Sequence, residues 1–578
     1  MIQERFKLWS TNEYFDKETR SELLSLNNQQ EIEERFYTEL EFGTGGMRGI
    51  LGAGTNRMNR YVIRKITQGI ADSIRGYGEK ACKMGVVIAY DSRRKSEEFA
   101  LETGLVLAAN GIKAFLFDRL RPTPELSFAV RYFKAIAGVM ITASHNPKEY
   151  NGYKVYWEDG GQIPPDKADV IVKSIAARED WLGIIPMNIE EAKRTGLLEI
   201  IGEKVDQVYL DEVKKQLLFP ELIKSKGGKV KIVYTPLHGT GNVPITKIMN
   251  DVGFTSFFVV PEQKLPDTEF STVRVPNPED AAAFELALKY GKELEADILL
   301  ATDPDADRLG MYLKNKDGDY VCFTGNQIGV ILEYYLLSQR KKMGKLPDNA
   351  VVVKTVATSD LGDAVADEFG VKTVNVLVGF KFIGEKIKEM EEEGWGTYQF
   401  GFEESYGYLA GTHARDKDAV VAAVLLTEAV LYYKEIEKKT LLDVLDEIYI
   451  KHGYYLDEQK SVTFKGKEGK NRIALIMERL RSAEKIEIAG IPVARIDDYQ
   501  SCKGKILKDQ SECLLNLPHS NVLRFSFEGG GFAMARPSGT EPKIKFYFSV
   551  KSDSPEKLQS TMENVKEDFL ALVKDLIE

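Results

Sequence analysis

Short runs of wholly apolar residues alternate with longer stretches of helical periodicity through the first three quarters of the chain. The runs GVVIAY, KAFLFD and AIAGVMITAS each span only a strand's length and are separated by helical patterns, the signature of parallel strands covered on both faces. A charged helical segment of about forty residues precedes them and ends in EFGTGGMRG. The stretch from roughly 165 to 225 reads as long and helical. The rhythm resumes with KVKIVYTPLHGTG, the helix VPITKIMNDVG, and the strands FTSFFVV and ADILLATDPDADRLGMYL. It restarts near Thr324 with AVVVKTVATS, DLGDAVADEFG and KTVNVLVG. Beyond about Lys451 the pattern changes to alternating strands such as NVLRFSFEGG and KIKFYFSV, followed by a closing helix, and one face of that sheet is expected to be solvated. The reading is three related α/β units and a smaller α+β domain.

Length agrees: 578 residues correspond to three or four domains at roughly 150 residues each. Charge narrows the partners. With 88 acidic and 78 basic residues the net charge is −10, which disfavours a non-specific nucleic-acid binder. The apolar fraction of 43% is that of a globular chain. Cys82, Cys322, Cys502 and Cys513 form no CxxC pair, so neither a disulfide framework nor a thiolate zinc site is expected. The start MIQERFKLWS lacks the apolar core of a signal peptide, and the most apolar run, AVVAAVLLTEAVLYY, contains Glu428 and reads as a buried helix. A cytoplasmic protein without membrane partners is expected.

Four loops carry candidate chemistry. In ATDPDADRLG, Asp303, Asp305 and Asp307 follow an apolar strand at two-residue spacing. Converging carboxylates repel unless an oxygen-liking divalent cation joins them, and Mg²⁺ is the usual choice beside phosphate. In TASHNPKEYNGYKVYW a strand runs into Ser144, His145 and Asn146, with Lys148 and Lys154 beyond. A hydroxyl there could carry a phosphoryl group, although S-H-N-P alone also reads as a turn or helix cap, and His145 as a structural histidine. In QFGFEESYGYLAG, Glu403, Glu404 and Ser405 suit vicinal sugar hydroxyls, or form an ordinary acidic turn. In MARPSGTEPKIKFY, Arg536, Ser538, Gly539 and Thr540, with Lys543 and Lys545 behind, make an anion cradle. Softer candidates are Arg48 among the glycines of EFGTGGMRG, Lys381 in VGFKFIG, Arg121 in RPTPE, His238 in PLHGTG and His413 in GTHARDKD.

The motifs TASHNP, DPDADR, GFEESYG and RPSGTEPKIKFY, in that order and spread over the chain, resemble those of the α-D-phosphohexomutase superfamily, in the branch of bacterial phosphoglucomutases and phosphopentomutases. The resemblance implies three similar mixed α/β domains and a smaller C-terminal α+β domain around a central cleft. On this chain they would span 1–210, 211–324, 325–455 and 456–578. It implies that Ser144 is the phosphoserine. Asp303, Asp305 and Asp307, with a phosphate oxygen on Ser144, would bind Mg²⁺. Glu403 and Ser405 would hold sugar hydroxyls, and Arg536, Ser538, Gly539, Thr540 and Lys545 the non-reacting phosphate. Arg48 and His145 would sit beside the reacting phosphate, with Arg308 near it in the cleft; Lys154 and Lys381 would be active-site lysines, and Lys154, Lys381 and His145 are candidates for the general base. The expected reaction interconverts glucose 1-phosphate and glucose 6-phosphate through glucose 1,6-bisphosphate, which also serves as activator. Ribose or deoxyribose 1-phosphate and mannose 1-phosphate are the alternative substrates, because the aromatic residues of GFEESYG reshape the sugar loop.

Overall fold

The computed structural model describes residues 1–43, 45–178, 181–464, 466–483, 486–538 and 543–577. It divides into two compact units. One comprises Met1–Phe323, Gly384–Glu393 and Tyr406–Glu437, and the other Thr324–Ile383, Gly394–Ser405 and Lys438–Glu578.

The first unit is built on two sheets. The N-terminal one has six strands in the order Met47–Ile50, Tyr150–Trp157, Ala137–Ile141, Val86–Tyr90, Ala114–Phe117, Leu198–Ile201. Val86–Tyr90 pairs in parallel with Ala114–Phe117 and with Ala137–Ile141. All three of these strands are buried at every position, which is why they read as unbroken apolar runs. Tyr150–Trp157 returns antiparallel to Ala137–Ile141, so the segment 142–149 turns over at the carboxyl end of the parallel strand. The helices Arg60–Gly76 and Ser96–Ala109 supply Ile63, Ile66, Ile70, Phe99 and Leu107 to the core. Trp9, Phe15 and Phe36 of the N-terminal segment pack with Tyr61 of the helix Arg60–Gly76 into a separate aromatic cluster.

The segment 165–225 is not one long helical stretch. Pro165–Ala176, Ile189–Arg194, Glu203–Lys214 and Pro220–Lys226 are helices, but Leu198–Ile201 is a strand that adds in parallel to Ala114–Phe117. Its four residues are buried only at the ends, too short a pattern to stand out from flanking helical periodicity.

The second sheet runs Tyr320–Phe323, Leu309–Lys314, Ile298–Thr302, Ile232–Thr235, Phe257–Val259. Ile298–Thr302 is parallel to Ile232–Thr235 and antiparallel to Leu309–Lys314, with Thr302 opposite Leu309. The acidic segment 303–308 is therefore the tight connection at a strand's carboxyl end, where open α/β sheets place ligands. The apolar run of Glu428 is the helix Ala419–Tyr432, buried throughout. Glu428 accepts hydrogen bonds from the backbone N–H groups of Leu218 and Phe219 (3.0 and 2.7 Å), which stabilises a carboxylate in an apolar helix. Among the described residues no helix is long and apolar enough to cross a membrane.

In the second unit Ala350–Thr355 lies in parallel between Lys372–Val376 and Thr397–Glu403. The C-terminal antiparallel sheet runs Tyr454–Thr463, Lys543–Ser552, Gly531–Pro537, Leu523–Phe527, Ile491–Asp498, Lys503–Ile506, Glu512–Leu514. Ile476, Met477, Leu480, Met562, Val565 and Phe569 from two helices cover one face over Phe525, Phe546 and Phe548. The opposite face was expected to be solvated. Instead Phe532, Met534 and Tyr547 on it pack with Val356, Ala357 and Leu377. Alternation reports that two faces differ, and the second face here is buried by another element rather than by water.

Asp457 lies within this unit, half-buried, with Oδ1 shut off from solvent and no hydrogen-bond partner for it among the described residues. Burial pushes its carboxyl up to about 6, with Ser549 and Ser359 partly offsetting. The folded state thus binds this proton more tightly than the unfolded chain, whose carboxyl titrates near 3.9. The resulting stability is fully present below about pH 4 and is lost as pH rises through about 6. Asp457→Asn, which has no charge to desolvate, is expected to stabilise the protein by about 3 kcal/mol at pH 8 and by about half as much at pH 5. Thermal unfolding at the two pH values checks this, and a pH-independent difference would contradict it.

Candidate functional site

Ser144 follows the strand Ala137–Ile141 by three residues and sits at φ 51°, the left-handed region that non-glycine residues seldom occupy. It is 2% exposed. Its Oγ donates a 2.6 Å hydrogen bond to Asp303 Oδ2 and lies 3.2 Å from His145 Nδ1. Arg48, exposed on the strand Met47–Ile50, donates to Asn146 Oδ1 at 3.1 Å. The chain enters that strand pressed against Tyr150–Trp157, where a Cβ on Gly46 would come within 2.0 Å of the Tyr153 carbonyl oxygen.

The connection 303–308 turns its acids inward. Asp303, Asp305 and Asp307 are 0%, 0% and 2% exposed, with one oxygen from each within 4.8 Å of the others. Asp303 Oδ1 accepts the backbone N–H groups of Asp307 and Arg308. Asp305 Oδ2 accepts Lys154 Nζ at 2.6 Å and Thr123 Oγ1 at 2.7 Å. Asp307 Oδ2 is 3.2 Å from both Lys154 Nζ and Lys417 Nζ. Burial, with Asp305 and Asp307 adding to it, pushes Asp303 well above the usual carboxylate range. Burial and Asp307 act the same way on Asp305, yet Lys154 and Thr123 hold it below that range. Burial also opposes ionisation of Asp307, and Lys154, Lys417 and Arg308 overcome it. For Lys154 burial opposes the charge, but Asp305 and Asp307 raise its proton affinity overall.

The donor set fits a hard divalent cation. It offers three carboxylates and no sulfur, and Oδ1 of Asp305 and of Asp307 is buried without a hydrogen-bond partner among the described residues. Arg308 ion-pairs with Glu279 and lies 3.9 Å from Asp307.

Lys417 faces the acids although the sequence did not single it out. It is 8% exposed, bonded to Asp416 Oδ1 at 3.0 Å as well as facing Asp307. The run HARDKD drew attention to His413, but His413 bonds Asp418 at 2.8 Å. A lysine flanked by two aspartates was the available signal. His238 ties Leu265 and Thr272 together, and Arg121 forms a two-armed pair with Asp206, so neither meets the acids.

In the second unit Glu403 is 4% exposed at the end of the strand Thr397–Glu403 and accepts the N–H of Gly379 at 2.9 Å. Glu404 accepts Thr355 Oγ1 at 3.2 Å, and Ser405 follows, half-buried. Lys381 lies in the first turn of the helix Phe380–Glu393, with Nζ 4.9 Å from the Phe382 ring centroid. Arg536 and Lys545 are cross-strand partners, Ser538 N–H donates to the Lys543 carbonyl at 2.7 Å, and Lys545 Nζ donates to Gln459 at 3.4 Å. Tyr547 interacts with both Arg536 and Glu404. Gly539 and Thr540 lie outside the described residues.

Comparison with known proteins gives consistent matches. Models of phosphoglucomutase/phosphomannomutase α/β/α domains I, II and III match residues 39–181, 207–318 and 324–452. A phosphoglucomutase of Staphylococcus haemolyticus is 38% identical over 92% of this chain and 94% of its own length. One of Staphylococcus saprophyticus is 35% identical over 96% and 98%. In fold, the chain resembles parafusin, a phosphoglucomutase of Paramecium, with TM-score 0.68, 17% identity and coverage of 93% and 96%. It also resembles a phosphoglucomutase/phosphomannomutase family protein of Burkholderia thailandensis, with TM-score 0.64, 18% identity and coverage of 93% and 97%.

Proposed function

The chain belongs to the phosphoglucomutase/phosphomannomutase family of the α-D-phosphohexomutase superfamily, and from that premise we propose that it is a phosphoglucomutase. It interconverts α-D-glucose 1-phosphate and glucose 6-phosphate through a phosphoserine on Ser144 and a glucose 1,6-bisphosphate intermediate. The observation that carries this reading is the 2.6 Å hydrogen bond from Ser144 Oγ to Asp303, one of three clustered buried carboxylates. The choice of glucose rests on the near-full-length similarity to the staphylococcal phosphoglucomutases.

In the forward half-reaction the P–O bond to Ser144 breaks as one forms to the sugar 6-hydroxyl, which gives up a proton while the leaving Ser144 Oγ takes one up. In the second half the 1-phosphoryl group passes to Ser144 and glucose 6-phosphate leaves. Ser144 Oγ has two partners for its proton, Asp303 Oδ2 and His145 Nδ1. Lys154, held protonated between Asp305 and Asp307, acts as a cation beside the transferring group rather than as the base. Lys417, Arg48 and Arg308 add positive charge. Mg²⁺ held by Asp303, Asp305 and Asp307 would supply charge neutralisation at the phosphoryl oxygens. Glu403 and Ser405 hold sugar hydroxyls, Arg536, Ser538, Gly539, Thr540 and Lys545 hold the non-reacting phosphate, and Lys381 is a further active-site lysine. Glucose 1,6-bisphosphate primes Ser144. The partition 1–210, 211–324, 325–455 and 456–578 and a cytoplasmic location are parts of the same proposal.

The test is kcat/KM with Mg²⁺ and catalytic bisphosphate. Glucose 1-phosphate is expected to be preferred over ribose 1-phosphate by more than about 100-fold, roughly 2.7 kcal/mol of differential transition-state binding. A comparable preference for ribose 1-phosphate would make the protein a phosphopentomutase.

A further inference from the structure

The strand Val86–Tyr90 runs into Asp91 and Arg93, both 2% exposed and neither assigned a part in the chemistry above. Arg93 spends its guanidinium on the Ser144 loop. One terminal nitrogen donates to the carbonyls of Ser144 and Asn146, each at 2.5 Å. The other donates to the carbonyls of Pro147 (2.9 Å) and Tyr150 (3.1 Å). Nε faces Asp91 Oδ2 at 3.3 Å. Asp91 works on the same loop from the other side. Its Oδ2 accepts Thr142 Oγ1 at 2.6 Å, and Thr142 Oγ1 in turn accepts the Ser144 N–H at 2.8 Å. Ser96 Oγ and the Arg93 N–H, donating to Oδ1, complete the acceptor set.

Both backbone polar groups of Ser144 are therefore anchored to one buried pair, the N–H through Thr142 and the carbonyl by Arg93. This matters because Ser144 occupies the left-handed region at φ 51°, a conformation that persists in a non-glycine residue only when its surroundings over-determine it. A planar fork with five N–H donors can span four carbonyls of one turn, and a lysine ammonium cannot match that geometry. The pair is covered from the second sheet's side. The Phe270 ring centroid lies 5.1 Å from Arg93 Cζ, and the neighbouring Glu269 accepts Lys148 and Arg94 at 3.1 and 2.8 Å.

On the reading that Ser144 carries the phosphoryl group, we propose that Arg93 is a positioning residue for phosphoryl transfer: it touches no reacting atom, and it holds the Ser144 backbone in the conformation that aims Oγ at the acidic cluster. Near-attack geometry is steep, and a misplacement of about 1 Å can cost on the order of 100-fold in rate. Arg93→Lys keeps the charge and loses the fork. It is expected to lower kcat roughly 100-fold and to slow labelling of Ser144 by radioactive glucose 1,6-bisphosphate by a similar factor, with KM for glucose 1-phosphate within about threefold of wild type. Phe270→Leu uncovers the guanidinium without touching a loop hydrogen bond and is expected to lower kcat by about threefold to tenfold with the same KM.

Wild-type kcat and labelling in both variants would overturn the proposal, as would losses confined to KM. If Arg93→Lys is recovered unfolded, the decision falls to Phe270→Leu, whose unchanged kcat would overturn it. Wild-type protein that neither turns over nor labels at Ser144 would instead sink the mutase reading itself, so the two failures are distinct.

Discussion

Ser144→Ala is expected to reduce mutase turnover by on the order of 10,000-fold or more, because on the proposed mechanism it removes the atom that carries the phosphoryl group between the two half-reactions. No neighbouring side chain replaces it. His145 Nδ1 lies 3.2 Å from Ser144 Oγ, but the hydroxyl is the group aimed at Asp303. The left-handed backbone at Ser144 disfavours alanine only slightly more than serine, and the loop is anchored through backbone groups that alanine retains. The variant should therefore fold, bind divalent cation as unphosphorylated wild type does, and incorporate no label from the bisphosphate. Turnover above about 1% of wild type in a coupled assay would remove Ser144 from the mechanism.

Asp307→Asn is expected to produce the second largest loss, roughly 1,000-fold in kcat, together with a fall of about 100-fold in affinity for Mg²⁺ by calorimetric titration. Two physical effects combine. One anionic oxygen leaves a three-carboxylate set, and Lys154 and Lys417, both 3.2 Å from Asp307 Oδ2, lose a compensating charge in a buried setting. Chelation of wild-type protein is expected to abolish turnover, and added Mg²⁺ to restore it. Full activity in a chelated sample would count against a metal role for all three aspartates. An Asp307→Asn variant with unchanged metal affinity would mean that Asp307 serves the lysines alone.

Much of this architecture is local in the chain, and local features are legible in sequence. A strand buried on both faces has to be apolar at every position, so Val86–Tyr90, Ala137–Ile141 and Ile298–Thr302 are readable as runs. Asp303, Asp305 and Asp307 are close because they are nearly consecutive, so their convergence followed from spacing and the strand before them. Ser144 at the end of an apolar strand was visible for the same reason. The strand Leu198–Ile201 was not, since an edge strand buried only at its two ends carries too few apolar positions to be told from the helices around it.

The surroundings of these residues depend on contacts between distant parts of the chain. Thr123 and Lys154 reach Asp305 across 182 and 151 residues, and Ser144 meets Asp303 across 159. Lys417 was unremarked in HARDKD because nothing near it in sequence announces Asp307, and Arg93 because an arginine after a strand ordinarily points to water. Burial then decides what these groups do. It removes the solvent that would otherwise satisfy each charge, so Asp307 stays ionised only by virtue of Lys154, Lys417 and Arg308, and Arg93 is available to hold Ser144 because four loop carbonyls and Asp91 replace its hydration. Sequence by itself determined which chemical groups are present and which strands carry them. Tertiary structure alone decided which charges face one another out of water, because that depends on long-range packing, which local spacing does not encode.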